Sequence, residues 1–130
     1  MSTPASKLWS EACDALRWHS KNADSCIQTL NRLWQKSPWV NSQRALPALV
    51  EGQVQLSEEL WNLDRLEALL HERQRTVNTP HSLTPPIIVV RSDGIDYLID
   101  GRTRINYWVR CGTKGPHRTL VIEHAQSEGV

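Results

Sequence analysis

The residues of this chain most suited to chemistry form the run Asp-Gly-Arg-Thr-Arg at positions 100–104, directly after the apolar residues 97–99. The run predicts a strand that ends at the glycine and a helix that begins just after it, so backbone N–H groups and two arginines would point toward one place. Both kinds of donor suit phosphate oxygens. We therefore expect a phosphate-binding site that consists of Asp100, Gly101, Arg102, Thr103 and Arg104.

The composition of the 130-residue chain narrows the possible partners and cofactors. The formal net charge is +1, so any nucleic-acid binding has to come from a local patch. Five histidines lack the short ligand spacing of a zinc site, and three cysteines include no close pair, so we expect no metal site. No signal sequence and no apolar run of membrane-spanning length are recognisable, which predicts a cytoplasmic protein.

Residues 46–130 are expected to form an α+β domain in which two helices pack against a small mixed sheet. Short apolar runs predict the strands, a leucine stripe predicts the first helix, and a Ser-Asp-Gly turn predicts a hairpin. Gly112 is expected to end the second helix. The predicted order is strand 49–56, helix 62–74, strand 87–90, strand 95–99, helix 102–111 and strand 119–123.

Residues 1–45 are expected to be an N-terminal extension, with a hairpin of two helices between residues 6 and 35. Four of the six tryptophans lie in this extension, and the chain has no phenylalanine. A tryptophan-rich helical surface either packs onto a sheet or binds a partner, and both interpretations stay open. In the second, a protein partner or another copy of the chain would bind through Trp9, Trp18, Trp34 and Trp39.

The order of elements, the run Pro-Pro-Ile-Ile-Val-Val at 85–90 and the turn Gly-Arg-Thr-Arg at 101–104 resemble the ParB/sulfiredoxin-like superfamily. In that superfamily a Gly-x-x-Arg turn opens a helix and holds the phosphates of CTP or ATP. The resemblance implies that Gly101 approaches the phosphates and that Arg104 binds them, with Arg102 and Thr103 adding a cation and a hydroxyl. It also implies CTP or ATP with Mg²⁺ as the ligand, Asp100 as a residue that holds the turn or helps a metal ion, and a bacterial plasmid, phage or mobile element as the setting.

The inside of the turn departs from the enzymes of the superfamily. Arg102 and Thr103 stand where sulfiredoxins have Cys-His and many enzyme-like relatives have His-His, so sulfiredoxin activity is not expected. Three hypotheses stay open. The first is a nucleotide- or nucleic-acid-phosphate-binding module that acts through protein partners. The second is a Mg-dependent nuclease or ATP-dependent phosphotransferase with Asp100 or Glu51 near the metal, and the third is a regulatory or inhibitory protein that keeps the fold without the ligand.

Overall fold

The computed structural model describes residues 3–21, 54–70 and 75–124. Its elements are α1 (Ala5–Lys21), β1 (Val54–Trp61), α2 (Leu63–Glu67), β2 (Ile87–Ser92), β3 (Ile95–Asp100), α3 (Arg102–Cys111) and β4 (His117–His124). From β1 to β4 the order is the β-α-β-β-α-β that the sequence predicts. The second predicted N-terminal helix and the boundary near residue 45 lie outside the described residues.

The four strands form one mixed sheet in the order β1-β4-β2-β3. β1 pairs antiparallel with β4, β4 pairs parallel with β2, and β2 pairs antiparallel with β3. The predicted hairpin between β2 and β3 is confirmed, because Asp93 (φ 53°) and Gly94 (φ 77°) both have the positive φ of a tight hairpin turn. The parallel pair requires a crossover connection, and α3 lies in it. The α+β class and the mixed sheet are confirmed.

Helices cover both faces of the sheet, because residues 87–90 of β2 and 120–122 of β4 are buried and apolar and alternate residues point to opposite sides. The α1 face is the side on which α1 packs, through Leu8, Ala12, Leu16, Val54, Ile88, Val90, Ile99, Leu120 and Ile122. The α2–α3 face is the opposite side, built from Trp61, Leu63, Leu66, Leu70, Ile87, Val89, Leu98, Ile105, Trp108 and Val121. The first N-terminal helix therefore packs onto the sheet.

Two element boundaries differ from the prediction. The first strand does not end at residue 56 but continues to Trp61, because Glu58 and Glu59, although charged, pair with β4 at the edge of the sheet. Among the described residues of the helix predicted over 62–74, the regular part runs from Leu63 to Glu67, and residues 71–74 lie outside the described ranges. After that point the N–H groups of Leu69 and Leu70 bond to carbonyls three residues back, which is the tighter geometry of a helix end. The remaining predicted strands are one to three residues longer than expected, and α3 matches its prediction.

Candidate functional site

β3 passes directly into α3 through Gly101, which is buried and has a φ of 119°. Glycine adopts such a positive φ far more readily than other residues. A Cβ at this position would also collide with Cδ1 of Ile87, which is fully buried at the start of β2. Backbone conformation and packing therefore both require a glycine, and they bring the start of α3 against β2.

The N-terminus of α3 presents backbone donors that the helix itself does not use. The first hydrogen bond runs from the N–H of Ile105 to the carbonyl of Gly101 (2.9 Å), so the N–H groups of residues 102–104 precede the helical ladder. The N-cap is a glycine and has no side chain to accept from them. The side chains of Arg102 and Thr103, both half-buried, add further donors. Phosphate oxygens accept hydrogen bonds from groups of these kinds.

The side chain of Arg104, in the same turn, is only 8% exposed and contacts protein atoms. Nη1 donates to the carbonyls of Pro85 and Pro86, the latter at 2.8 Å, and Nη2 donates to Oδ2 of Asp100 at 2.9 Å. Burial lowers the pKa of the guanidinium, and the neighbouring carboxylate opposes that shift. Two of its five N–H donors thus hold the residues before β2 against the turn, and a third bonds to Asp100 within the turn.

A cavity of about 940 Å³ lies beside the turn on the α1 face. Three parts of the chain surround it: the turn at 100–104, one side of α1, and the loop between residues 78 and 86. Ile88, Ile99 and Arg118 of the sheet also line it. Small-molecule sites typically have volumes of ~300–1,000 Å³, so a nucleotide-sized ligand fits by volume.

The charges around the cavity are mixed, with a small excess of basic groups. Four basic and three acidic side chains line it, namely Lys7, Arg102, Arg104 and Arg118 with Glu11, Asp14 and Asp100. Arg104 pairs with Asp100, and Arg118 pairs with Glu11. Within the described ranges Lys7 and Arg102 form no ion pair, so these two cations are the ones available to an anionic ligand.

Ionic contacts beside the cavity join α1 to the sheet. Arg118 of β4 donates from Nη2 to Glu11 of α1 (2.9 Å) and from Nε to Glu58 of β1 (2.6 Å). The hydroxyl of Thr3, just before α1, donates to the same Glu58 carboxylate at 2.8 Å. These hydrogen bonds, that of Thr3 first and that of Arg118 second, lower the pKa of Glu58 below its ordinary value. The position of α1 at the cavity therefore depends on charged groups as well as on apolar packing.

The loop that lines part of the cavity has neither helix nor strand between residues 75 and 86. Arg110, in the last turn of α3, donates from Nη1 to the carbonyl of Thr76 (3.0 Å) and from Nη2 to that of Asn78 (3.2 Å). At the other end of the loop, Arg104 holds the carbonyls of the two prolines. Both ends of the loop are thus bonded to arginines of the same helix.

The predicted partner surface is described only at its first residue. Trp9 is partly buried and packs against the core of the α1 face, which favours the packing interpretation for this side chain. The side chain of Trp18 and the whole of Trp34 and Trp39 lie outside the described residues, so a partner surface there stays a prediction. The other two tryptophans are buried in the α2–α3 face.

Sequence reasoning predicted the turn but missed what faces it. Lys7 reaches the cavity only because α1 packs on the adjacent face of the sheet, and no motif marks it. Asn78 and His81 line the cavity from a loop whose polar composition predicted no role. The Pro-Pro pair at 85–86 is the one local signal, because it ends the loop at the carbonyls that Arg104 contacts.

Within the described ranges, no helix is long and apolar enough to cross a bilayer. The same residues contain no group of three or more His, Cys, Asp or Glu side chains placed to hold a metal ion. No protein-family model, no curated protein and no solved structure matches this chain.

Proposed function

We propose that this chain is a small cytoplasmic module that binds the phosphates of a nucleotide, or of a nucleic acid, at the N-terminus of α3 and acts through protein partners. The observation that carries the proposal is the pairing of a ligand-sized cavity with a turn whose backbone donors and Arg102 line it. Lys7 approaches the same space from α1, so two cations from separate elements meet there. Such convergence of donors favours an anion over a neutral ligand.

Within this site the residues of the turn would have separate tasks. Arg102 and the N–H groups of residues 102–104 would contact the phosphates, and the hydroxyl of Thr103 would add a neutral hydrogen bond. Arg104 would act mainly by holding the turn against β2, because most of its donors are already used. A nucleotide would bring Mg²⁺ on its phosphates, and Asp100 is the carboxylate of the turn that lines the cavity.

The ParB/sulfiredoxin-like assignment belongs to the same proposal. The β-α-β-β-α-β order supports it, as does a Gly-x-x-Arg turn that opens a helix. The contact of Arg104 with Pro85 and Pro86 joins the two motifs on which the resemblance depends. The plasmid, phage or mobile-element setting, and CTP or ATP as the nucleotide, rest on the resemblance. A partner bound at the N-terminal helices would lie beside the ligand, because α1 forms part of the cavity.

Titration calorimetry with CTP, ATP, GTP and pyrophosphate, each with Mg²⁺, tests the proposal. Wild type is expected to bind pyrophosphate and at least one nucleotide, and Arg102→Gln is expected to weaken both by about tenfold through loss of a charge-assisted contact. Lys114→Gln is the matched control, because it removes one positive charge from an exposed residue that does not line the cavity. Its affinities should equal those of wild type.

Two results would count against the proposal. If wild type binds none of the four anions, the phosphate site is wrong. If Arg102→Gln and Lys114→Gln weaken binding equally, the anions respond to net charge rather than to the turn. Inorganic phosphate released in these samples, and cleavage of plasmid DNA in parallel samples with Mg²⁺, separate a binding module from the enzymatic alternative.

A further inference from the structure

The loop that lines the cavity is bonded to an exposed side chain, that of Arg110, which does not itself line the cavity. Arg110 donates to the carbonyls of Thr76 and Asn78, and the chain then continues through Thr79, Pro80, His81 and Ser82, all of which line the cavity. Arg110 is not among the lining residues. Any effect it has on a ligand therefore passes through the loop.

Few other described contacts fix this part of the loop. Its internal hydrogen bonds are short-range, from the N–H of Asn78 to Thr76 Oγ1 (3.1 Å) and from the N–H of Thr84 to Ser82 Oγ (3.2 Å). The residues that line the cavity between 78 and 82 are exposed or half-buried, so little apolar packing restrains them. A fork of two N–H donors to two carbonyls restrains both position and orientation, which one point contact does not.

The lining of the loop differs chemically from that of the turn. The turn offers cationic and backbone donors, whereas residues 78–82 offer an amide, hydroxyls, an imidazole and a proline ring. Phosphates suit the first set, and the neutral polar part of a ligand suits the second. Arg104 and Arg110 lie six residues apart, about 9 Å along the axis of α3, so one rigid helix determines the spacing between the two sets.

We infer that Arg110 is a positioning residue of this site: by holding the carbonyls of Thr76 and Asn78, it places the loop that contacts the nucleoside part of a bound nucleotide. The inference rests on the proposed function. It assigns phosphate affinity to the turn and the additional affinity for a nucleotide to the loop. The loop, and not the turn, then determines which nucleotides are accepted.

The test compares pyrophosphate with the tightest-binding of CTP, ATP and GTP, all with Mg²⁺, on wild type, Arg110→Ala and Arg110→Lys. For Arg110→Ala we expect nucleotide binding to weaken by about fivefold, the factor that corresponds to one net hydrogen bond, while pyrophosphate binding stays unchanged. Arg110→Lys keeps the charge but lacks the fork, so an intermediate loss is expected. Lys114→Ala is the control for loss of charge and should change neither affinity.

A purely structural role for Arg110 would give a different result. If the Arg110 variants lose only stability, the ratio of nucleotide to pyrophosphate affinity stays unchanged at temperatures where they are folded. An unchanged ratio would overturn the inference while the phosphate site stands. Binding of pyrophosphate without any nucleotide would also overturn it. If wild type binds neither, the proposed function fails and the inference fails with it.

Discussion

Both faces of the sheet have an apolar core, and they differ at the border of the α1 face, where a cavity lies. On the α2–α3 face, Trp61 is only 1% exposed, and Trp108 stacks on His117 with ring centroids 3.7 Å apart. On the α1 face, α1 contributes Leu8, Ala12 and Leu16, and a cavity of about 940 Å³ lies next to it. Among the described residues, large aromatic side chains of β1 and α3 help to fill one face, whereas a cavity lies beside the helix that covers the other.

This difference shows how a sheet with two covered faces keeps room for a ligand. The α2–α3 face is held by apolar packing, which leaves few gaps in a protein core. Beside the cavity, the α1 face relies on hydrogen bonds and ion pairs, such as Arg118 with Glu11 and Arg104 with Asp100. Polar contacts can remain satisfied at the border of a solvated space, where apolar side chains would lose their contacts.

Adjacent isoleucines of β2 provide the strongest test of the comparison. Ile87 packs in the α2–α3 face and Ile88 in the α1 face, where it also lines the cavity, and both are at most 1% exposed. Ile87→Ala should lower the free energy of unfolding by about 4 kcal/mol, because it leaves a void in a closed core. Ile88→Ala should cost about 2–3 kcal/mol, because the space it leaves can open into the cavity that Ile88 lines and need not remain an empty void.

Urea unfolding of the two variants measures this difference, and each variant controls for the other because both make the same side-chain change in the same strand. Equal losses of stability in the two variants would mean that the cavity does not lower the cost of Ile88→Ala. A larger loss for Ile88→Ala would reverse the assignment of the closed face.

A second test concerns the two arginines of the turn. Arg104→Met keeps most of the side-chain volume but removes the hydrogen bonds that Arg104 donates to Asp100 and to the carbonyls of Pro85 and Pro86. Removing one partner of a buried ion pair costs ~3–5 kcal/mol. Because the Asp100 side chain is 27% exposed, we expect the free energy of unfolding in urea to fall by about 3 kcal/mol. Arg102→Met is the matched control and should change stability by less than about 0.5 kcal/mol. Similar losses for the two would contradict the division of tasks within the turn.

Much of the fold follows from local sequence, because its signals act over a few residues. Asp93-Gly94 determines a tight hairpin, and Gly101 and Gly112 delimit α3 through their positive φ. The helix predicted over 62–74 was too long because its leucine stripe remains periodic after the helix ends. There the turn at 68–69 sets the path of the chain, and periodicity alone does not detect it.

The candidate site was predictable only in part, for a related reason. Gly101 and Arg102 lie in a recognisable strand-to-helix motif, so one side of the site was visible in the sequence. Lys7 and Asn78 reach the cavity through contacts between parts of the chain that are distant in sequence. The role of Arg104 also depends on such a contact, since the prolines it holds lie 18 and 19 residues away along the chain. Composition and spacing carry no signal of that kind.

The smallest expected effect concerns pH and the ionic contacts of the α1 face. The pKa of Glu58 is lower in the folded chain than its ordinary value of 4.5. The carboxylate therefore stabilises the fold above pH 4.5, and this contribution is lost as pH falls through the folded pKa. Glu58→Gln should therefore reduce stability at pH 7, by less than about 1 kcal/mol because its partners are partly exposed. In acid the stabilities of the variant and wild type should converge.

Urea unfolding from pH 7 down to pH 3 measures this convergence. Glu67→Gln on α2 is the control, because Glu67 pairs only with exposed Arg75 among the described residues. A difference between wild type and Glu58→Gln that persisted in acid would mean that the contact of α1 with the sheet does not depend on the charge of Glu58.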